Sequence, residues 1–211
     1  MARLTKINPP ALPLAGAEYD RGYSNQFGSV LRLFFNGVVS FCNTLAGDTG
    51  GAAISYPYGA FSSNANNTVA LANTPTRVTF DREEAVNGMY AVTGDGLHMQ
   101  YAGIYNVQFS IQFENSDSAI HEATVWLRQN GVDVPRSGTE LAVAAKHGAV
   151  NGYGVMTANF FITTAAKDHI TLWWATDSTQ LIMEAYTPST SPFARPAIPS
   201  VVATITFVSA V

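Results

Sequence analysis

Residues 103–115, GIYNVQFSIQFEN, alternate without a break. Tyr105, Val107, Phe109, Ile111 and Phe113 are apolar, and Asn106, Gln108, Ser110, Gln112 and Glu114 stand between them. Successive side chains of a strand point to opposite faces, so the stretch predicts a strand with one apolar and one polar side. The apolar side needs a core. The polar side carries neutral amides where a solvated strand would carry Lys and Glu.

The same reading extends in both directions. RVTF (77–80) and GLHMQY (96–101) precede the stretch, the second of them after a turn at Asp95-Gly96. ATVWLRQNGVDVPR (123–136) contains Asn130-Gly131, a two-residue hairpin signal, because both central positions of that turn need positive φ. GYGVMTANFFITT (152–164), HITLWWAT (169–176), QLIMEAY (180–186) and SVVATITFVSA (200–210) complete the series. About eight short strands separated by turns predict an antiparallel sandwich or jelly roll over residues 77–211. The Pro-rich stretch 187–200 is too long for a tight hairpin and reads as a surface loop.

The N-terminal part is different. Residues 1–17 form an extended arm, since Pro9, Pro10 and Pro13 resist helix. Residues 18–46 predict a helix: Tyr19, Tyr23, Phe27, Val30, Phe34, Val38 and Phe41 recur at steps of three or four, with Asp20 or Ser24 as cap. Leu31, Leu33, Phe35 and Val39 widen its apolar surface beyond one stripe, so it needs a partner. Residues 47–76, rich in Gly, Ser, Asn and Ala, read as a linker or loops. The chain is thus mainly β, an antiparallel jelly-roll sandwich preceded by an N-terminal α-helix and a linker.

Composition narrows the partners. Only 12% of residues are charged, about half the usual share, and the net charge is −4. The 11 Lys and Arg form no patch, so there is no basic field for nucleic acid. Residues 27–46 have the length of a membrane span but carry Arg32, Asn36, Gly37 and Asn43, which argues against insertion. The prolines near the N-terminus break any signal-peptide run, and Cys42 is the only cysteine, so an intracellular product without disulfides is expected.

No catalytic constellation stands out. His98, His121, His147 and His169 are scattered, without the spacing of a zinc site, and no phosphate or dinucleotide loop is present. Asp81, Glu83 and Glu84 match no calcium loop and read as a solvated turn. A non-enzymatic protein without cofactor or metal is expected. Trp173 and Trp174 are adjacent on one strand and must face opposite sides; the outer one needs cover, from a neighbouring subunit or a ligand. Trp126, between Val125 and Leu127, poses the same question.

Two resemblances sharpen this. GIYNVQFSIQF, ATVWLRQNGVDV, KDHITLWWATD and the closing VVATITFVSAV resemble, in order, the strand motifs of the C1q/tumour-necrosis-factor jelly roll. That likeness implies a homotrimer. It implies that the strands at 104–113 and 169–176 and the last strand share one inner sheet, whose outer face turns to the threefold axis. Asn106, Gln108, Ser110 and Gln112, with Trp173 and Trp174, would then form the trimer interface. Residues 12–36, LPLAGAEYDRGYSNQFGSVLRLFFN, are similar to N-terminal segments of tailed-phage virion proteins, especially of marine and cyanobacterial phages. This implies anchoring to another virion protein of capsid or tail through Tyr19, Tyr23, Phe27, Val30, Leu31, Phe34, Phe35, Val38 and Phe41. The expected protein is a capsid knob or tail-fibre component located in the virion. An alternative is a carbohydrate-binding adhesin that meets host glycan or protein through a loop site of Tyr186, Phe193 and Arg195. A depolymerase is the third reading; it needs two carboxylates that sequence does not pair.

Overall fold

The computed structural model describes residues 9–14, 17–18, 20–46 and 56–210, with only the backbone of Ala46. The chain divides into two units, Met1–Ser55 and Tyr56–Val211.

In the first unit, residues 9–14 form no helix or strand, as their prolines dictate. Helix α1 (Arg21–Ala46) starts three residues later than the spacing suggests, because Asp20 caps it. The Asp20 carboxylate accepts the Gly22 backbone N–H at 2.7 Å, and its carbonyl accepts that of Ser24 at 3.0 Å. Tyr23, Phe27, Val30, Leu31, Phe34, Val38 and Phe41 are half-buried along one stripe, while Leu33, Phe35 and Val39 are exposed. Among the described residues no helix is long and apolar enough to cross a membrane.

The second unit contains β1 (Tyr58–Ser63), β2 (Thr76–Arg77), β3 (Arg82–Asn87), β4 (Met89–Val92), β5 (Gly96–Met99), β6 (Gly103–Asn115), β7 (His121–Gln129), β8 (Val132–Asp133), β9 (Thr139–Val143), β10 (Gly152–Thr164), β11 (His169–Thr176), β12 (Leu181–Met183) and β13 (Val201–Ser209). One sheet has the order β10-β6-β13-β1-β3, with β12 also paired to β6. The other has the order β4-β5-β11-β7-β8, with β9 on β7 and β2 on β11. All these pairings are antiparallel. Among the described residues the fold is mainly β, with antiparallel sheets and one N-terminal helix.

Strand β6 is the spine of the six-stranded sheet. All thirteen of its residues pair with β10, from Gly152↔Asn115 to Thr164↔Gly103. Tyr105, Val107, Phe109, Ile111 and Phe113 are all buried and enter one core with Val125, Leu127, Ile170, Leu172 and Trp174 of the other sheet. Burying those five β6 side chains contributes an upper estimate of about 7–15 kcal/mol before conformational entropy is set against it. The β7–β8 turn has positive φ at both Asn130 (52°) and Gly131 (82°), as its two-residue length requires.

Four expectations change. The β unit begins at Tyr56, not residue 77: β1 lies inside the segment read as linker and sits between β13 and β3. It buries Phe61 together with Ser62 and Ser63, so its small polar residues conceal an interior strand. Residues 82–87 are the edge strand β3 rather than a turn; the Glu84 carboxylate accepts the Ser62 hydroxyl at 2.7 Å and thereby joins β3 to β1. Strand β11 does not share a sheet with β6 and β13; it belongs to the opposite sheet, between β5 and β7. Trp174 is fully buried between the sheets, 6.0 Å from the Phe113 ring centre, so it belongs to no surface.

Candidate subunit interface

The polar side of β6 lies on the outer face of the six-stranded sheet, and cross-strand register shows what surrounds it. Gln108 stands between Asn159 of β10 and Thr204 of β13. Ser110 stands between Thr157 and Val202, and Asn106 between Phe161 and Thr206. Gln108, Ser110, Thr157, Asn159, Val202 and Thr204 line a depression of about 490 Å³. Every side chain there is neutral. Its amides and hydroxyls each donate and accept hydrogen bonds, so one copy of the face complements another.

Around this centre the same face exposes apolar groups. Tyr153, Val155 and Phe161 follow at alternate positions of β10, with Val208 on β13 and Tyr58 on β1. Phe161 is 66% exposed. The floor carries no Lys or Glu to keep it solvated; Glu114, at the end of β6 beside Tyr153, is the face's nearest carboxylate and is held by Asn151 and Tyr186.

Trp173 lies on the outer face of the other sheet, away from these residues. It does not lack cover: the Arg128 guanidinium lies 3.9 Å from its ring centre and 5.9 Å from that of Trp126. Asp133 fixes the arrangement, its Oδ1 accepting Arg128 Nε at 2.6 Å and Trp126 Nε1 at 2.8 Å. The Trp173 indole N–H donates to Thr171 Oγ1 at 3.0 Å. These hydrogen bonds, the Arg128 bond first, hold the Asp133 carboxyl below its ordinary range. The two outer tryptophans therefore meet their cover within their own chain.

The loop residues are likewise engaged. Burial, and then its bond to Glu114 at 2.5 Å, pushes the Tyr186 hydroxyl far up. Arg195 lies 5.4 Å from the Tyr186 ring centre and donates to the Thr187 carbonyl at 3.1 Å. Only Phe193 of the three presents a free aromatic face, 66% exposed. Glu184 approaches Glu114; burial, then the Glu114 charge, raises its carboxyl. Each carboxylate is already bound: Glu114 accepts Tyr186 and Asn151, and Glu184 accepts Asn66 Nδ2 at 2.5 Å.

Of the sequence-predicted anchoring residues, Tyr19 lies outside the described residues. Phe35 is exposed and off the half-buried stripe, packed edge-on against Phe34 with ring centres 5.7 Å apart. No family model matches the chain, and no curated protein matches it.

Sequence reading missed a polar clasp. His121 stands between two carboxylates, Nε2 at 2.9 Å from Asp117 and Nδ1 at 3.1 Å from Asp177. Its bond to Asp117, above all, raises its pKa. The same bond lowers Asp117; burial pushes Asp177 up, but hydrogen bonds from His121 and the Glu122 N–H outweigh it. The short spacing from Asp117 to His121 was the only trace of this in the sequence.

Proposed function

We propose that the chain is a non-enzymatic virion structural protein: a homotrimeric jelly-roll head, joined to the particle by its N-terminal helix. The observation that carries the reading is the outer face of the six-stranded sheet, neutral and self-complementary at its centre and apolar at its rim. Three copies meeting there bury the rim and pair the amides across an axis, without bringing like charges together.

The jelly-roll assignment is supported by strand order. In the six-stranded sheet no neighbours are consecutive, and the chain passes from one sheet to the other between β6 and β7, β9 and β10, and β10 and β11. Strand β6 and the last strand β13 are neighbours in one sheet, as the C1q/tumour-necrosis-factor likeness implies, whereas β11 departs from that likeness by lying in the opposite sheet, between β5 and β7. The anchoring role is supported by α1, whose apolar residues extend beyond its stripe to Leu33, Phe35 and Val39. The likeness of residues 12–36 to phage virion segments supports the particle.

Deletion of residues 1–46 tests the anchor. The truncated protein remains trimeric and fails to join particles assembled in its presence. Normal incorporation of the truncated protein refutes the anchoring role.

A further inference from the structure

The fold brings together two histidines that are far apart in sequence. His98 of β5 and His169 of β11 are direct register partners, with ring centres 5.1 Å apart. Asp95, in the turn from β4 to β5, reaches both: Oδ2 lies 2.9 Å from His98 Nε2, and Oδ1 lies 3.8 Å from His169 Nε2. One ligand atom from each residue lies within 4.8 Å of those of the other two. Two donors on one tetrahedral ion, bonded at about 2.0–2.2 Å, sit roughly 3.3 Å apart, so the three stand close to coordinating positions.

The site is held from several sides. Tyr90, the partner of His98 on β4, stacks on its ring at 5.1 Å and 8°. Asn130 Oδ1 accepts the His169 backbone N–H at 3.0 Å. Gly96 lets the Asp95 turn approach β11: it has φ of 136°, and a Cβ there would lie 2.7 Å from the Ile170 carbonyl oxygen.

The decisive detail is at His98. Its side chain is only 12% exposed, and Nε2 is buried without a hydrogen-bond partner. Asp95 Oδ2 is near enough, yet it does not make a hydrogen bond, so the contact is one of distance alone. A buried ring nitrogen without a hydrogen bond, flanked by a carboxylate oxygen, is an arrangement that a shared ion would complete. His121 is the contrast: both its nitrogens are hydrogen-bonded, to carboxylates on opposite sides of the ring.

We propose that Asp95, His98 and His169 form a binding site for one divalent transition-metal ion. Two imidazoles and one carboxylate select a zinc-like ion over calcium or magnesium, which take oxygen ligands. Asp95 is 51% exposed, so the remaining coordination positions open to solvent. The ion ties the β4–β5 hairpin to β11.

Zinc titration of the untagged full chain, in competition with a chromophoric chelator, tests this. The expected result is one zinc per chain with a micromolar or lower dissociation constant, and a higher thermal midpoint with zinc but not with magnesium. His169→Gln weakens binding at least about 100-fold and Asp95→Asn at least about 10-fold, with folding of each variant checked by circular dichroism. His121→Gln and Cys42→Ser leave it unchanged. Binding only at millimolar zinc overturns the proposal, and so does stoichiometric binding that survives both His169→Gln and His98→Gln.

Discussion

Gln108→Glu is the sharpest perturbation of the proposed interface. Gln108 is exposed on the outer face of β6, between Asn159 and Thr204, on the floor of the depression. The substitution preserves shape and adds one charge. In a monomer that charge faces water, and the expected change in stability is within about 0.5 kcal/mol. In the trimer three carboxylates surround the axis. At separations of about 8 Å and an effective dielectric of about 20, each pair repels by about 2 kcal/mol, or about 6 kcal/mol for the ring. That lowers the trimer association constant about 10⁴-fold. Sedimentation across nanomolar to micromolar concentrations measures it, with the exposed Gln100→Glu, beyond the end of β5, as a charge control that leaves association intact. Acidification toward pH 4.5 restores the variant trimer, because like charges raise carboxyl pKa values and protonation removes the repulsion. Association of Gln108→Glu indistinguishable from the parent protein refutes the reasoning, since only a solvated strand tolerates the change.

Phe161→Ser removes the most exposed aromatic of the apolar rim. It lowers the trimer association constant about 10²-fold, at about 1 kcal/mol per copy, and leaves the urea midpoint of the dissociated chain almost unchanged. Arg128→Ala uncovers Trp126 and Trp173, so tryptophan emission shifts to the red; Arg128→Lys restores it only in part, because an ammonium does not cover a ring as a planar guanidinium does. The His121 clasp gives a pH dependence. Its raised pKa adds stability that is full below the unfolded value of about 6.5 and is lost as pH rises through the folded value. The lowered Asp117 and Asp177 contribute above about pH 4 and lose that contribution as pH falls through their folded values. The urea midpoint is therefore higher at pH 5.5 than at pH 8.5 by a margin that His121→Gln removes.

Much of the fold was legible because burial and alternation coincide in it. The stretches 103–115, 152–164 and 169–176 are strands over their full predicted ranges; large apolar residues point inward along most of 103–115 and 169–176, whereas 152–164 turns Gly152, Gly154 and Ala158 inward with Met156, Phe160 and Ile162 and leaves Tyr153, Val155 and Phe161 outside. Strand β1 was not legible: YGAFSS buries serines whose hydroxyls are satisfied by Glu84 and the Ala65 carbonyl, so hydropathy carries no period. Strand β3 hid behind its charges, which an edge tolerates. That Trp173 and Trp174 face opposite ways follows from the strand; which one enters the core, and in which sheet, is decided by pairing with β7 and β5. His98 and His169 meet through the same pairing, which no spacing along the chain announces. Arg128, which covers Trp173, is a cross-strand neighbour through Thr171 and equally absent from linear sequence.

The mass of the intact full-length chain in solution, measured by native mass spectrometry at micromolar concentration, bears most directly on the homotrimeric head. A species of three chains, each of 22.5 kDa, is the expected result. A monomer or dimer across the micromolar range contradicts it and returns the neutral face of β6 to solvent.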